Sequence, residues 1–211
     1  MSSLADTPKL LANTAAKAER HSRLHLPHIE PLTKFVEDLR TAKGADFQIP
    51  YFDSWDGGTN ARILYLLEAP GAKAVRSGFI SRNNPDETAK NFHELNAEAG
   101  IPRSQTVTWN IVPWYIGTGS RIRSADRRDL ATGLPHLGSL LTLLSNLQAI
   151  VLIGLKAQRA ASLIEKLRPD LTVFRSFHPS PLFVNNARGN RDRILGVMHD
   201  VRAFLDRTAS A

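Results

Sequence analysis

The chain has 211 residues, 42% of them hydrophobic and 22% charged, which suits a globular protein of one ordinary domain with a proper core. That balance excludes a disordered chain, no apolar run approaches the ~18–20 residues that cross a bilayer, and the lack of cysteine excludes disulfides, thiol catalysis and cysteine-held metal clusters. Lys and Arg number 27 against 20 Asp and Glu, a net charge of +7 that favours polyanions, nucleic acid first among them.

Thr7-Pro8 reads as a helix start, and a helix is expected over Pro8–Arg20. Pro31 opens a second helix with Leu32, Phe35, Val36 and Leu39 on one face, closed by Gly44. Asp53 to Gly58 is rich in turn residues. Its two aspartates could suggest a metal loop, but the glycine pair and the short span favour an ordinary turn. Strand and helix then alternate. Ile63-Leu64-Tyr65-Leu66-Leu67 is a continuous apolar run suited to a buried parallel strand. Asn84-Pro85-Asp86-Glu87 starts a helix that carries Phe92 and Leu95 and ends at Gly100. Further strands are expected at Thr106–Val112, Ala149–Ile153 and Leu171–Ser176. Helices are expected at Leu130–Leu147, where Pro135 could kink or divide the element, at Lys156–Leu167 and at Asn190–Leu205. The pattern predicts an α/β fold, a three-layer α/β/α arrangement around a four-stranded parallel sheet. Residues 1–60 are expected to form a helical segment packed on that core, with 1–211 as one domain.

Ligands of such sheets bind beyond the C-terminal strand ends. There the chain places Glu68-Ala69-Pro70-Gly71 after the first strand, Asn110 near the end of the second, and His178-Pro179-Ser180-Pro181 after the fourth. Each residue alone has an ordinary reading as a solvated carboxylate, a strand-end turn or a turn-holding imidazole. Together, each beside a rigid proline segment, they are harder to explain as structure.

Glu68-Ala69-Pro70-Gly71 and His178-Pro179-Ser180-Pro181 resemble the two signature motifs of the uracil-DNA glycosylase superfamily, in that order and with an Asn-bearing strand between them. The first motif looks like the thermophile-type branch, whose members carry iron–sulfur cysteines; this chain has none and looks like a cluster-free relative. The resemblance implies removal of uracil flipped out of DNA, by water and without metal or redox cofactor, leaving an abasic site. It makes His178 the group that stabilises the leaving base and Glu68 the group that orients water and stabilises the sugar cation. It places Ala69, Gly71, Phe79 and Asn110 around the uracil. Phe79 would stack beneath the base, and Asn110 would read its edge with one donor and one acceptor. Gly71 stands where some relatives carry a bulky ring that excludes the thymine methyl. Leu182 resembles the wedge that fills the gap left by the base, and Ser180 would bond a phosphate. Core packing is the rival reading for Phe79, and an ordinary loop hydrophobe for Leu182.

Arg121, Arg123, Arg127 and Arg128 read as a DNA-phosphate-binding loop or as a solvated charged face, and Arg188, Arg191 and Arg193 as a second basic patch. Trp55, Trp109 and Trp114 carry no motif and are expected to be buried. The implied partners are uracil-containing DNA and free uracil as product. No membrane partner is expected, the N-terminus lacks the apolar stretch of a secretory signal, and a cytoplasmic monomer is anticipated. Two alternatives stay open: a same-fold glycosylase for hypoxanthine, xanthine or mismatched bases, and a non-catalytic damaged-DNA-binding protein.

Overall fold

The computed structural model describes residues 4–118 and 123–209. A short 3-10 turn at Leu10–Ala12 precedes α1 (Thr14–Ser22) and α2 (Glu30–Lys43). The chain continues through β1 (Tyr51–Phe52), β2 (Ile63–Leu67), α3 (Ala72–Ser77), β3 (Phe79–Ile80), α4 (Glu87–Glu98) and β4 (Thr106–Asn110). Then come α5 (Arg127–Leu143), β5 (Ala149–Ile153), α6 (Ala161–Leu167), β6 (Thr172–Ser176), α7 (Pro181–Val184) and α8 (Asn190–Ala209).

The main sheet is parallel throughout, in the order β4-β2-β5-β6. β2 is central and its apolar run is read on both faces. Leu64 and Leu66 join Val107, Ile150 and Leu152 beneath α2, α5 and α6. Ile63 and Tyr65 join Val151 and Ile153 against Phe92 and Leu95 of α4 and Ile194, Met198 and Val201 of α8. The alternation puts one helical layer on each side of the sheet, the three-layer architecture expected. α4, between β2 and β4, lies on one face, and α5 and α6, after β4 and β5, on the other. The connections therefore part over the C-terminal end of β2, which opens a crevice there.

The N-terminal helix begins later than Thr7-Pro8 suggests. Lys9 has a left-handed backbone (φ 62), which interrupts any helix from Pro8. Asn13 becomes the cap instead, its side chain accepting from the Ala15 amide at 2.7 Å. α5 also starts earlier than expected, because Asp126 and Asp129 form a reciprocal capping box. Pro135 sits inside α5 without dividing it. The short β1–β3 pair, α3 and α7 were not anticipated.

Asp53 to Gly58 is a turn, and Gly58 needs its positive φ of 56°. Its aspartates do more than turn the chain. Asp53 is fully buried and accepts from Arg20 Nε at 2.7 Å and Arg103 at 2.5 Å, with Ser81 Oγ also donating. Arg103 Nε also donates to Asp56 at 2.8 Å, and its Nη1 to Asp6 and Asn83. The Arg20 guanidinium lies 3.1 Å over the Trp55 ring. This network fastens residues 6–56 to the segment 81–83 and to Arg103 before β4. Trp109 and Trp114 are buried as expected, Trp55 only half-buried under its cover of Arg20, and Trp109 stacks on Phe52 at 3.9 Å.

Candidate active site

The strand tops are level. Leu67 pairs with Asn110, Leu66 with Leu152, and Ile153 with Ser176. Glu68, Asn110, Gly154 and His178 therefore emerge along one edge of the sheet. A cavity of about 730 Å³ opens there, within the usual size of ligand pockets. Glu68, Ala69 and Gly71 from the first motif, Asn110, and His178, Ser180 and Leu182 from the second all line it. Three distant segments thus converge on one space.

Glu68 is held rather than loose. Its Oε1 accepts from Ser124 Oγ at 2.8 Å and from the Ala125 amide. Lys156, just beyond β5, donates to the Ala125 carbonyl and clasps that segment to the sheet. Asn110 is almost fully buried at the end of β4. Among the described residues neither its carboxamide nor the His178 imidazole has a hydrogen-bond partner. Burial pushes the His178 ring below its ordinary value, and the negative charges of Glu68 and Asp86 offset part of that shift. Burial thus favours the neutral ring, which has one N–H to donate. Gly154 lies under it. With φ 83° the residue needs glycine, and a Cβ there would stand 3.4 Å from the His178 Cβ.

Phe79 is not in this group. The ring is fully buried with Leu11 and Ala16, 4.6 Å from His21, and does not line the cavity. The pairing of β3 with β1 explains the displacement. In β3 successive side chains point to opposite sides, so Phe79 faces the N-terminal helices while Ile80 lines the cavity. The aromatic rings that do reach the cavity are those of Phe92 and Tyr115. The sequence places neither at the site: Phe92 reads as a helix face, and Tyr115 lies in no motif.

Ser180 caps α7, its Oγ facing the Phe183 amide at 3.4 Å, which leaves the hydroxyl proton for another acceptor. The Ser180-Pro181 pair is a cap followed by a first-turn proline, a helix signal present in the sequence. Leu182 is 84% exposed at the cavity rim, unusual for a leucine and suited to contact with a partner.

Arg121 lies outside the described residues. Arg123 lines the cavity but is paired with Asp129 at 2.5 and 2.9 Å, so its charge is partly spent within the protein. Arg127 and Arg128 are exposed in the first turn of α5. Of the second patch, Arg188 is exposed, Arg191 is bonded to Glu98 at 2.5 Å, and Arg193 lies over the Phe177 ring. Lys73 and Arg76 of α3 add positive charge to the cavity wall, a contribution the short helix hid from sequence. Among the described residues no three His, Asp or Glu side chains are grouped as a metal centre needs.

A carboxylate, a carboxamide and an imidazole share one crevice at the strand ends of a parallel sheet in an α/β protein. Residues 55–202 match the Uracil DNA glycosylase superfamily, and the chain belongs to that family. Membership brings a DNA-glycosylase type of function, and the cysteine-free sequence has no iron–sulfur ligands. Two solved structures are among those that match. One is a candidate uracil DNA glycosylase from Methanosarcina acetivorans, 15% identical, with TM-score 0.46 over 67% of this chain and 91% of that one. The other is a point variant of mimivirus UNG in complex with UGI, 14% identical, with TM-score 0.41 over 87% of this chain and 76% of that one. No curated protein matches.

Proposed function

We propose that the protein is a monofunctional uracil-DNA glycosylase that hydrolyses the N-glycosidic bond of a uracil flipped out of DNA. The observation that carries the reading is the meeting of Glu68, Asn110 and His178 over one cavity, with the last two unpartnered among the described residues. Polar groups left without a protein partner on a cavity wall are free to be completed by a ligand.

In this reading Asn110 accepts from the uracil N3–H and donates to O4, a pairing that cytosine cannot match. The C1′–N1 bond breaks with its electron pair passing to the base. The neutral His178 donates a hydrogen bond to O2 and stabilises the resulting anion. Water adds to the sugar cation at C1′. Glu68, its Oε1 already tied to Ser124 and Ala125, orients that water and receives its proton. The products are free uracil and an abasic site. Leu182 fills the gap in the stack and Ser180 donates to a backbone phosphate. The whole chain acts as one glycosylase domain, as a cytoplasmic monomer.

A second reading is supported by Gly71. A Cβ there would meet nothing within 4 Å, so no ring crowds this part of the cavity. A 5-methyl group or a larger deaminated purine meets no barrier from this residue. Single-turnover cleavage of oligonucleotides carrying uracil, thymine, hypoxanthine or xanthine tests both. Uracil release with little from the others is expected of the first reading, and comparable release of a second base supports the broader one. DNA binding with no alkali-labile site on any substrate overturns both. Gly71→Tyr should lower thymine cleavage relative to uracil by ~tenfold, the scale of one methyl group in a pocket.

A further inference from the structure

We propose that Asp86 is a second functional carboxylate of this cavity, a positioning residue that acts on departure of the base through the His178 imidazole. The inference rests on the glycosylase reading above and adds a residue to it.

Asp86 caps α4, accepting from the Ala89 amide at 2.9 Å, and lines the cavity together with Glu68 and His178. The cap does not require its charge. Asn and Ser accept the same amide as well as Asp does. Burial works against the charged form, so the carboxyl lies above its ordinary range despite the Ala89 and Thr88 amides and Lys73. The helix dipole offsets only part of that cost. A half-buried carboxylate at a position where a neutral residue caps equally well needs another use.

His178 supplies one. The two negative charges that bear on its ring are Glu68 at the end of β2 and Asp86 at the head of α4. The groups facing Asp86 in turn are Lys73 of α3, Glu87 beside it and His178. A hydrogen bond also ties the two segments together. Asn91, just over one turn into α4, donates its side-chain N–H to the Pro179 carbonyl at 2.9 Å. The head of α4 is thereby clamped to the residue that follows His178.

The chemistry follows from charge. The imidazole works as a neutral donor to a base that leaves as an anion, while the sugar it leaves becomes cationic. A second carboxylate strengthens the negative field around the cation. It also holds the ring's proton affinity up against the burial that lowers it. Taking away the charge while keeping the cap should therefore do two things. The ring should titrate at lower pH, and the glycosidic step should slow.

Asp86→Asn and Asp86→Ser keep an acceptor for the Ala89 amide and make the test independent of folding. The titration of the His178 ring is read by NMR in ring-labelled full-length protein from about pH 4 to about pH 8. Single-turnover uracil release is measured over the same range, and Tm is measured alongside. The expected result is a His178 midpoint lower by about half a pH unit or more, a plateau rate ~tenfold lower, and an unchanged Tm. A His178 midpoint equal to wild type, or a wild-type plateau rate, in both variants overturns the proposal and leaves Asp86 as a helix cap. Wild-type protein that leaves uracil DNA intact in the same assay would count against the glycosylase reading; the ring titration still judges Asp86.

Discussion

Two polar regions lie close together in this molecule and are built by opposite rules. Around Asp53, charges are buried and fully paired. Arg20, Arg103, Ser81 and the Trp55 amide all converge on one carboxylate. Around the cavity, several polar groups are left open. Among the described residues, the buried side-chain atoms with no partner are Arg82 Nε and Thr108 Oγ1, and both residues line the cavity. Asn110 and His178 wait beside them. The paired region has nothing left to offer a ligand and holds the fold. The open region stores unmade hydrogen bonds at the place where the sheet's connections part. Ser81 and Arg82 are neighbours in sequence and both line the cavity, yet the Ser81 hydroxyl completes the closed network while Arg82 Nε stays open.

The sharpest way to break the comparison is to exchange the consequences of mutation. Asp53→Ala leaves Arg20 and Arg103 buried without their shared partner, and should destabilise the protein by ~3–5 kcal/mol in denaturant titration. The pH dependence has a definite sign. Burial alone would raise the Asp53 carboxyl, but Arg103 and Arg20 hold it below its ordinary value. Its contribution is therefore present above the ordinary carboxylate pKa and lost as pH falls through the depressed one. Asp53→Asn should flatten the acid limb of the stability profile; an unchanged limb would show that the network is not what fails in acid. His178→Ala should do the reverse. Uracil release should fall by ~10²–10³-fold, the scale of one lost donor to a developing anion. Stability should hold or rise slightly, since no partner is orphaned. A His178→Ala protein that cleaves normally, or one that unfolds, would erase the distinction between the regions.

The open region was the more legible of the two in sequence. Its residues sit in proline-rich motifs at strand ends, and the strands are continuous apolar runs that announce themselves. What the motifs could not convey was facing. Phe79 and Ile80 are adjacent in a two-residue strand with no periodicity to read, and a single step decides which of them meets the cavity. Phe92 and Asp86 were read as a helix face and a helix start, which they are; that both also line the cavity depends on how α4 leans on the sheet. The closed region was nearly silent. Arg20, Asp53 and Arg103 are separated by 33 and 50 residues, and ion pairs carry no sequence period. The aspartates at 53 and 56 were legible only as turn formers, which describes their backbone and misses their side chains.

Arg123 lies at the border of the two rules, and its test gives the smallest effect. It lines the cavity as an open residue would, yet it is paired with Asp129 as a closed one would be. At half exposure such a pair is worth little to stability, because water screens it. Removing it should therefore cost the fold almost nothing. If the pair merely steadies the capping box of α5, Arg123→Glu leaves DNA affinity unchanged. If Arg123 exchanges Asp129 for a phosphate, the reversed charge should weaken DNA binding a few-fold at low salt, and the loss should shrink as salt rises. Asp129→Asn separates the two further. It frees the guanidinium, so binding should tighten slightly when Arg123 serves DNA and should not change when it serves the helix. Fluorescence-anisotropy titrations of both variants at two salt concentrations decide the matter, and opposite shifts would place Arg123 with the open region.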